Sequence, residues 1–134
     1  MKIVIVGSGN ISLRHSLNIK KLLPTADLAL LTSEERLTSY KKKQFNIMSR
    51  FLFNRQEVIN YNPIAVLICS PAPMHVNEAS FYASMGINVF IEKPLSNTLD
   101  NISNLDAIVN DKGIIAMVGY VLRFNKALNV FWFY

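Results

Sequence analysis

Short apolar runs separated by helix-like segments are the feature that most restricts how this sequence can fold. Each run is too short for a helix, and nearly all of its side chains are apolar, which is typical of strands covered on both faces. A regular alternation of such strands with helices predicts a parallel, doubly wound α/β sheet with right-handed crossovers. The predicted strands are residues 3–6, 28–31, 65–69, 89–91 and 114–118.

Helical periodicity fills the intervals between these strands. Pro24 ends the first predicted helix and Gly113 closes the last. The interval 44–62 is the least regular, and we expect a short strand near residues 47–51 followed by a helical turn. The predicted helices are residues 10–23, 33–43, 74–85 and 97–111. Their predicted inward side chains are Leu13, Leu17, Ile19, Leu22 and Leu23 in the first helix, Val76, Ala79 and Ala83 in the third, and Leu99, Ile102, Leu105 and Val109 in the fourth.

Length and composition limit the class of protein. The chain of 134 residues suits one domain, and its hydrophobic content of 51% provides a core and argues against disorder. Its longest apolar run, residues 64–69, is too short to cross a bilayer, and the run at 3–6 is too short for a signal peptide. A single cysteine excludes an internal disulfide, so we expect a cytoplasmic protein without a membrane partner.

The net charge of +5 comes largely from Lys20, Lys21 and the lysine run 41–43. Such a run is typical of a solvated helix face, and no aromatic residues interleave with it as they do in nucleic-acid-binding modules. We therefore expect no nucleic-acid partner. The charge is compatible with an anionic cofactor or substrate but does not require one. No metal site is predicted.

A glycine-rich turn directly follows the first strand. In residues 7–12, Gly-Ser-Gly-Asn-Ile-Ser, serine replaces the third glycine of the dinucleotide-binding fingerprint. Gly7 would permit the tight turn, Gly9 would let the backbone approach a pyrophosphate at the start of the helix, and Ser12 keeps a small side chain between helix and strand. A simple strand-to-helix turn is the alternative. The predicted cofactor contacts here are Gly7, Ser8, Gly9, Asn10 and Ile11.

The end of the second strand bears on the choice between NAD and NADP. The acidic residue that usually binds the ribose hydroxyls of NAD is missing, because Asp27 lies at the wrong end of the strand and Glu34 falls in the next helix. Thr32, Ser33 and Arg36 could instead hold a 2′-phosphate, which slightly favours NADP. The alternative is a helix capped by Ser33 and followed by a solvated arginine.

Four segments with recognisable motifs follow one another along the chain: the glycine turn with Arg14-His15, residues 65–75 with Ser70-Pro71 and His75, Glu92-Lys93-Pro94-Leu95, and residues 118–120 with Arg123-Phe124. Together they resemble the glucose-fructose oxidoreductase/inositol dehydrogenase family (Gfo/Idh/MocA). The resemblance implies a Rossmann-type NAD(P)-binding domain over residues 1–122, from an oxidoreductase that acts on the CH–OH group of a sugar, cyclitol or nucleotide-sugar.

The resemblance also assigns roles to the later segments. Because strand carboxyl ends meet at one edge of a parallel sheet, Gly7, Ser70 and Glu92 should converge over the cofactor. Lys93 would be the catalytic residue, which hydrogen-bonds the substrate hydroxyl and stabilises negative charge on its oxygen. Glu92 would contact the nicotinamide side or orient Lys93, and a cis bond before Pro94 is implied. The further cofactor contacts implied are Cys69, Ser70, Pro71, His75, Glu92, Lys93, Pro94 and Arg123.

The two histidines and the cysteine each have a simpler interpretation. His75 either begins a helix as a solvated residue or, by the resemblance, lines the cofactor site near the nicotinamide ribose. His15 is expected to be a packing or surface residue. Cys69 is expected to be a small core residue without redox work.

Family enzymes carry a second α/β domain that supplies most of the substrate pocket and usually a catalytic aspartate and histidine. The only histidines here are His15 and His75, and the sequence ends at Tyr134. We therefore expect a chain truncated before the substrate domain, with residues 123–134 as the start of the linker. Lys93 would then lack its proton-transfer partner, whose help is commonly worth about 10²–10⁴-fold in rate. The large apolar residues 130–134 would pack back, form a homo-oligomer contact or promote aggregation.

Two functions stay open from the sequence. One is the NAD(P)-binding part of an oxidoreductase, weakly active or inactive alone, and the other is a non-catalytic dinucleotide-binding module or partner-dependent subunit. An NAD(P)-sensing regulator is disfavoured because no DNA-binding segment is present.

Overall fold

The computed structural model describes residues 1–125 and Leu128, and for residues 39–41 it describes the backbone only. Within that part of the chain, six strands form one sheet in the order β3-β2-β1-β4-β5-β6, and every neighbouring pair is parallel. The predicted doubly wound parallel sheet is therefore confirmed. The strands are β1 (Lys2–Val6), β2 (Asp27–Leu31), β3 (Arg50–Leu52), β4 (Ala65–Ile68), β5 (Asn88–Ile91) and β6 (Ala116–Val118).

Helices connect the strands and cover both faces of the sheet. Short 3₁₀ turns occupy Glu34–Arg36 and Val121–Phe124. None of the helices described is long and apolar enough to cross a bilayer. The α-helices are α1 (Asn10–Leu22), α2 (Ser39–Gln44), α3 (Arg55–Tyr61), α4 (Ala72–Ser84) and α5 (Ile102–Lys112).

The alternation of side chains along β1 divides the core into two layers. Ile3 and Ile5 point into a cluster with Phe45 on the α1 side of the sheet. Val4 and Val6 point into a cluster on the opposite side that includes Tyr82 of α4. Because successive strand residues point to opposite faces, an almost wholly apolar strand is what a sheet with two covered faces requires.

Two predicted elements in the first half have different bounds. The predicted helix 33–43 is wrong, because it breaks at Leu37, whose backbone leaves the helical region (φ −89°, ψ 62°) while its side chain is buried. The strand expected near 47–51 is β3, which starts only at Arg50. The chain first turns at Phe45, whose carbonyl accepts a hydrogen bond from the Met48 amide. In both places a single apolar side chain that turns inward ends the local pattern.

The predicted helix 97–111 begins late, at Ile102, and Leu99 is 88% exposed rather than inward. Two hydroxyls account for the delay: Ser96 Oγ accepts a hydrogen bond from the Thr98 amide, and Thr98 Oγ1 accepts one from the Asp100 amide. Such local bonds offer the backbone an alternative to the helix.

The first helix presents a different face from the one predicted. Leu17, Leu22 and Leu23 are exposed, and the fully buried residues of α1 are Ser12 and Ser16. Serines bring the helix close to the sheet where it leaves the glycine turn. Of the predicted inward residues, Leu13 and Ile19 do pack against the core. In α4 the predicted face of Val76, Ala79 and Ala83 is confirmed.

Candidate functional site: a cleft at the strand carboxyl ends

The carboxyl ends of the central strands lie side by side, as expected. The Gly7 amide donates to the Leu31 carbonyl at 2.9 Å, and the Glu92 amide donates to the Ile68 carbonyl at 2.9 Å. Ser70 comes two residues after Ile68, so the three segments that carry Gly7, Ser70 and Glu92 share one edge of the sheet.

A cleft of about 920 Å³ opens above the ends of β1 to β4. Its volume lies in the range of small-molecule and cofactor sites. The cleft is lined by Val6, Gly7, Ser8, Gly9, Leu31, Thr32, Ser33, Glu35, Arg36, Phe53, Asn54, Arg55, Cys69, Ser70, Pro71, Met74 and Glu78.

The glycine turn forms the centre of the cleft floor. Gly7 has φ +98°, and a Cβ atom there would lie 3.0 Å from the Cys69 carbonyl oxygen, so the turn needs glycine. Gly9 caps α1 with extended backbone, and a Cβ atom there would meet nothing within 4 Å. The space over Gly9 is thus open toward the amino terminus of a 13-residue helix, where backbone amides attract anions.

Polar side chains at the end of β2 flank the turn. Thr32 is buried and donates its hydroxyl proton to Ser8 Oγ at 3.1 Å, which ties the turn to β2. Ser33 precedes the 3₁₀ turn but makes no capping hydrogen bond with its side chain, so the alternative of a Ser33-capped helix is wrong. Arg36 is exposed at the cleft rim, next to Glu35.

The start of α3 forms a wall of the cleft that the sequence analysis did not predict. Asn54 Oδ1 accepts a hydrogen bond from the Glu57 amide at 2.9 Å, and Glu57 Oε2 accepts one from the Phe53 amide at 2.9 Å. This reciprocal cap was readable as Asn-x-x-Glu before an apolar segment. It places Arg55 in the cleft with its guanidinium 4.5 Å from the centroid of the Phe81 ring.

The wall formed by α4 carries a buried carboxyl that the sequence analysis also did not predict. Glu78 of α4 is only 7% exposed and accepts a short hydrogen bond from the Ser70 hydroxyl. Burial raises the pKa of Glu78, while the Ser70 hydrogen bond and the charge of Arg55 act in the opposite direction. No pattern around Glu78 distinguishes it from a surface glutamate, because its burial depends on the packing of α4 against β4.

His75 lies behind this wall. It is 1% exposed, so its interpretation as a solvated residue is wrong. Its Nε2 lies 2.6 Å from the Ser70 carbonyl oxygen, and its Nδ1 lies 2.8 Å from the Pro94 carbonyl oxygen. The ring therefore links the Ser70 segment to the turn after β5.

Glu92 and His15 form a hydrogen-bonded pair beside that turn. Glu92 is 7% exposed, and its Oε1 lies 2.6 Å from His15 Nε2. Its Oε2 accepts a hydrogen bond from the Lys93 amide at 3.1 Å. The His15 ring also packs edge-on against Phe90, with centroids 5.4 Å apart. His15 is thus more than the packing or surface residue expected from the sequence.

Lys93 itself is exposed, and the Lys93–Pro94 peptide bond is cis, as the resemblance implied.

Comparison with known proteins agrees with this geometry. A family model described as "Oxidoreductase family, NAD-binding Rossmann fold" matches residues 1–120. The chain belongs to the Gfo/Idh/MocA oxidoreductase family. It forms the family's NAD-binding Rossmann domain, and the sheet order above is the arrangement of that fold.

Among curated relatives, myo-inositol 2-dehydrogenase of Thermotoga maritima is 27% identical over 128 residues, which are 94% of this chain and 38% of the relative. The scyllo-inositol dehydrogenase of Lactobacillus casei, solved with NAD(H) and scyllo-inositol, has a TM-score of 0.81 at 24% identity, over 97% of this chain and 39% of that one. The WlbA dehydrogenase of Chromobacterium violaceum, solved with NADH and UDP-GlcNAcA, has a TM-score of 0.84 at 16% identity, over 97% and 38%. The chain spans less than half the length of these Gfo/Idh/MocA proteins.

In this family member the cleft gathers only some of the implied cofactor contacts. Asn10 is exposed at the start of α1, Ile11 packs against the core, and Arg123 is exposed in the 3₁₀ turn with its guanidinium 5.7 Å from the centroid of the Phe124 ring. His75 and the segment 92–94 lie beyond the cleft wall, on the Ser70 side. Gathered in the cleft are Gly7, Ser8, Gly9, Thr32, Ser33, Arg36, Cys69, Ser70 and Pro71.

Cys69 behaves as the core residue expected from the sequence. It is buried, and burial together with the nearby Glu92 charge raises the pKa of its thiol to about 12. The thiol therefore stays protonated near neutral pH and lacks the thiolate needed for redox or nucleophilic work. The predicted oligomer contact at residues 130–134 lies outside the described residues.

Proposed function

We propose that the chain binds a nicotinamide dinucleotide along the cleft and serves as the cofactor-binding part of an oxidoreductase acting on a CH–OH group. The pyrophosphate would lie over Gly7 and Gly9 at the start of α1, the adenosine half toward Arg36, and the nicotinamide half toward Ser70 and Lys93. The observation that carries this proposal is that the glycine turn and the Glu92-Lys93-Pro94 segment share one sheet edge, with open space over Gly9 between the walls.

The nicotinamide, when bound, supplies the hydride acceptor or donor. Lys93 would donate a hydrogen bond from its ammonium group to the substrate oxygen and stabilise the negative charge that develops there. Its exposed side chain is free to approach a substrate above the sheet edge. Glu92 fixes the backbone at Lys93 by accepting its amide hydrogen bond.

A sugar, cyclitol or nucleotide-sugar is the substrate class we propose. Its support is the set of relatives, which include proteins named as inositol dehydrogenases and one solved with UDP-GlcNAcA.

A non-catalytic or partner-dependent module is the second candidate, favoured by the state of Glu92. This acid, next to Lys93 in sequence, already contacts His15 and the Lys93 amide, so both of its oxygens have partners within the chain. We expect the isolated chain to bind dinucleotide and to turn over weakly or not at all. Mixing it with the separately expressed substrate domain of the T. maritima relative tests this: restored inositol oxidation supports a split enzyme, and no oxidation supports a binding module.

The adenosine end of the cleft favours NADP over NAD. Arg36 lines that end together with Ser33 and Glu35, and Arg55 lines the cleft near the Glu78 carboxyl. A guanidinium pairs well with a 2′-phosphate, whereas a carboxylate repels it and binds ribose hydroxyls. We expect Arg36→Ala to lower the ratio of NADPH to NADH affinity about tenfold, and Glu35→Gln to raise it. The opposite signs in calorimetric titrations would assign the site to NAD.

Calorimetric titration of the 134-residue chain with NADH and NADPH tests the proposal itself. Gly9→Trp should abolish binding without unfolding the chain, because Gly9 has an ordinary backbone conformation and open space around it. Leu22→Trp, at the exposed far end of α1, is the matched control and should bind like the wild type. A folded wild-type chain that binds neither ligand would refute dinucleotide binding.

A further inference from the structure

We propose that His15 and His75 are positioning residues that together hold the Glu92-Lys93-Pro94 segment at the nicotinamide end of the cleft. The chain contains two histidines, and both contact this one segment from different helices. Both helices start at the cleft: α1 follows the glycine turn, and α4 follows Ser70-Pro71. The inference rests on the proposed dinucleotide site and adds the residues that place its reactive segment.

The first contact sets the position of Glu92. With Oε1 against His15 and Oε2 accepting the Lys93 amide proton, both carboxylate oxygens are engaged, and the backbone direction at Lys93 is fixed through the side chain before it. Removing the His15 donor would leave a carboxylate that is 7% exposed without its partner. Such a group moves toward water or another donor and takes its hydrogen bonds with it.

The second contact sets the position of Pro94. The Pro94 carbonyl faces His75 Nδ1, and the same buried ring faces the Ser70 carbonyl through Nε2. Since carbonyl oxygens only accept hydrogen bonds, a ring nitrogen that carries a proton donates it to the carbonyl that it faces. Lys93 thus stands exposed between two held neighbours, one tied to α1 and the other to α4.

The two rings face the segment through different ring nitrogens, Nε2 in His15 and Nδ1 in His75, and this difference allows a sharp test. A glutamine amide reaches about as far as histidine Nε2, and an asparagine amide about as far as Nδ1. His15→Gln should therefore keep the bond to Glu92, and His15→Asn should lose it. At His75 the order is reversed, because asparagine keeps the donor to Pro94, whereas glutamine keeps only the donor to Ser70.

The experiment titrates each of the four variants and the wild type with NADH and, separately, with ADP-ribose, which lacks the nicotinamide. We expect the wild type to bind NADH more tightly than ADP-ribose. The ratio of the two affinities should fall about tenfold in His15→Asn and His75→Gln, as for loss of one hydrogen bond. It should be kept in His15→Gln and His75→Asn. The affinity for ADP-ribose should be equal in all five proteins.

Several outcomes would overturn the proposal. The first is an affinity ratio that is unchanged in every variant. The second is a fall in the ratio that does not follow the predicted difference between the asparagine and glutamine variants. The third is equal binding of NADH and ADP-ribose by the wild type. The last outcome leaves dinucleotide binding intact, whereas a wild type that binds neither ligand removes the proposed function and this inference with it.

If a variant fails to fold, a measurement on the wild type alone still tests the proposal. The amide NMR signal of Lys93 should shift with NADH and stay in place with ADP-ribose. A shift with neither ligand, while the Gly9 amide responds to both, would refute the role assigned to the two histidines.

Discussion

The two halves of the cleft edge are built by different means. In the glycine half, residues 7–12, 32–36 and 53–55, the backbone conformation sets the shape, and most side chains face solvent. In the histidine half, residues 69–78 and 90–95 together with His15, buried polar side chains set the shape. The first half is therefore sensitive to changes that alter φ or fill space, and the second to the exchange of one hydrogen-bonding atom for another.

The largest effect should come from Gly7→Ala in the glycine half. Its φ of +98° and the Cys69 carbonyl 3.0 Å from the new Cβ atom both oppose a side chain. We expect the free energy of unfolding to fall by about 2–3 kcal/mol in urea denaturation. Gly9→Ala, at φ −83° with open space, is the matched control and should change stability by less than about 0.5 kcal/mol. Equal losses at both positions would show that backbone conformation does not define this half.

An intermediate effect is expected from Asn54→Ala in the same half. The change removes the side-chain acceptor of the Glu57 amide at the start of α3 and should cost about 1 kcal/mol of stability. Gln56→Ala serves as the control, because it removes only an exposed bond to Asn60, which is worth about 0.2–0.5 kcal/mol. Thermal unfolding of the two variants, followed by circular dichroism, gives the comparison, and a larger loss for Gln56→Ala would contradict the role of the cap.

A smaller, pH-dependent effect should distinguish the histidine half. Burial raises the pKa of Glu78 above its ordinary value of 4.5, so between the two values the unfolded chain binds fewer protons. Its contribution to stability is present below pH 4.5 and is lost as the pH rises through the raised value. In urea denaturation from pH 4.5 upward, Glu78→Gln should lose less stability than the wild type. Parallel curves would mean that Glu78 ionises as freely in the fold as in the unfolded chain.

The smallest effect on stability should come from Asp27→Asn at the opposite edge of the sheet. The pH dependence of this effect should have the opposite sign to that of Glu78. The Ser49 hydroxyl donates to Asp27 and lowers its pKa below 3.8. The stabilisation is thus present above pH 3.8 and is lost as the pH falls. The wild-type advantage over Asp27→Asn should shrink on acidification in the same urea assay. An advantage that grows on acidification would contradict the assignment.

The sequence predicted the parts of the molecule that depend on local pattern. Apolar runs located the strands, and the position of Gly7 after β1 located the turn, because both signals lie within a few residues. It failed where a single side chain overrode the pattern, as at Leu37, or where hydroxyls competed with a helix, as at Ser96 and Thr98. A helical repeat of leucines likewise cannot show that Ser12 and Ser16 are the buried face of α1.

The candidate site, like the fold, could be predicted from the sequence only in part. The strand ends could be placed together from the topology alone. The partners of Glu92, Ser70 and Pro94 could not, because His15 lies far from Glu92 in the chain and His75 meets Pro94 only through the crossover of α4. The cleft wall formed by the start of α3, with Arg55, was not predicted, although its Asn54–Glu57 cap is a local sequence pattern.

The strand order has a consequence for how the chain acquires its structure. The central strand β1 comes first in the sequence, yet one of its two neighbours, β4, pairs with it only when Ala65 reaches Ile3. Until then a ribosome-bound chain presents β1 with one edge open and with apolar side chains on both faces. Such long-range parallel pairing is slow compared with helix formation. We therefore expect the segment around Ile3 and Ile5 to recruit a chaperone on the nascent chain, and that binding to end once residue 68 has emerged.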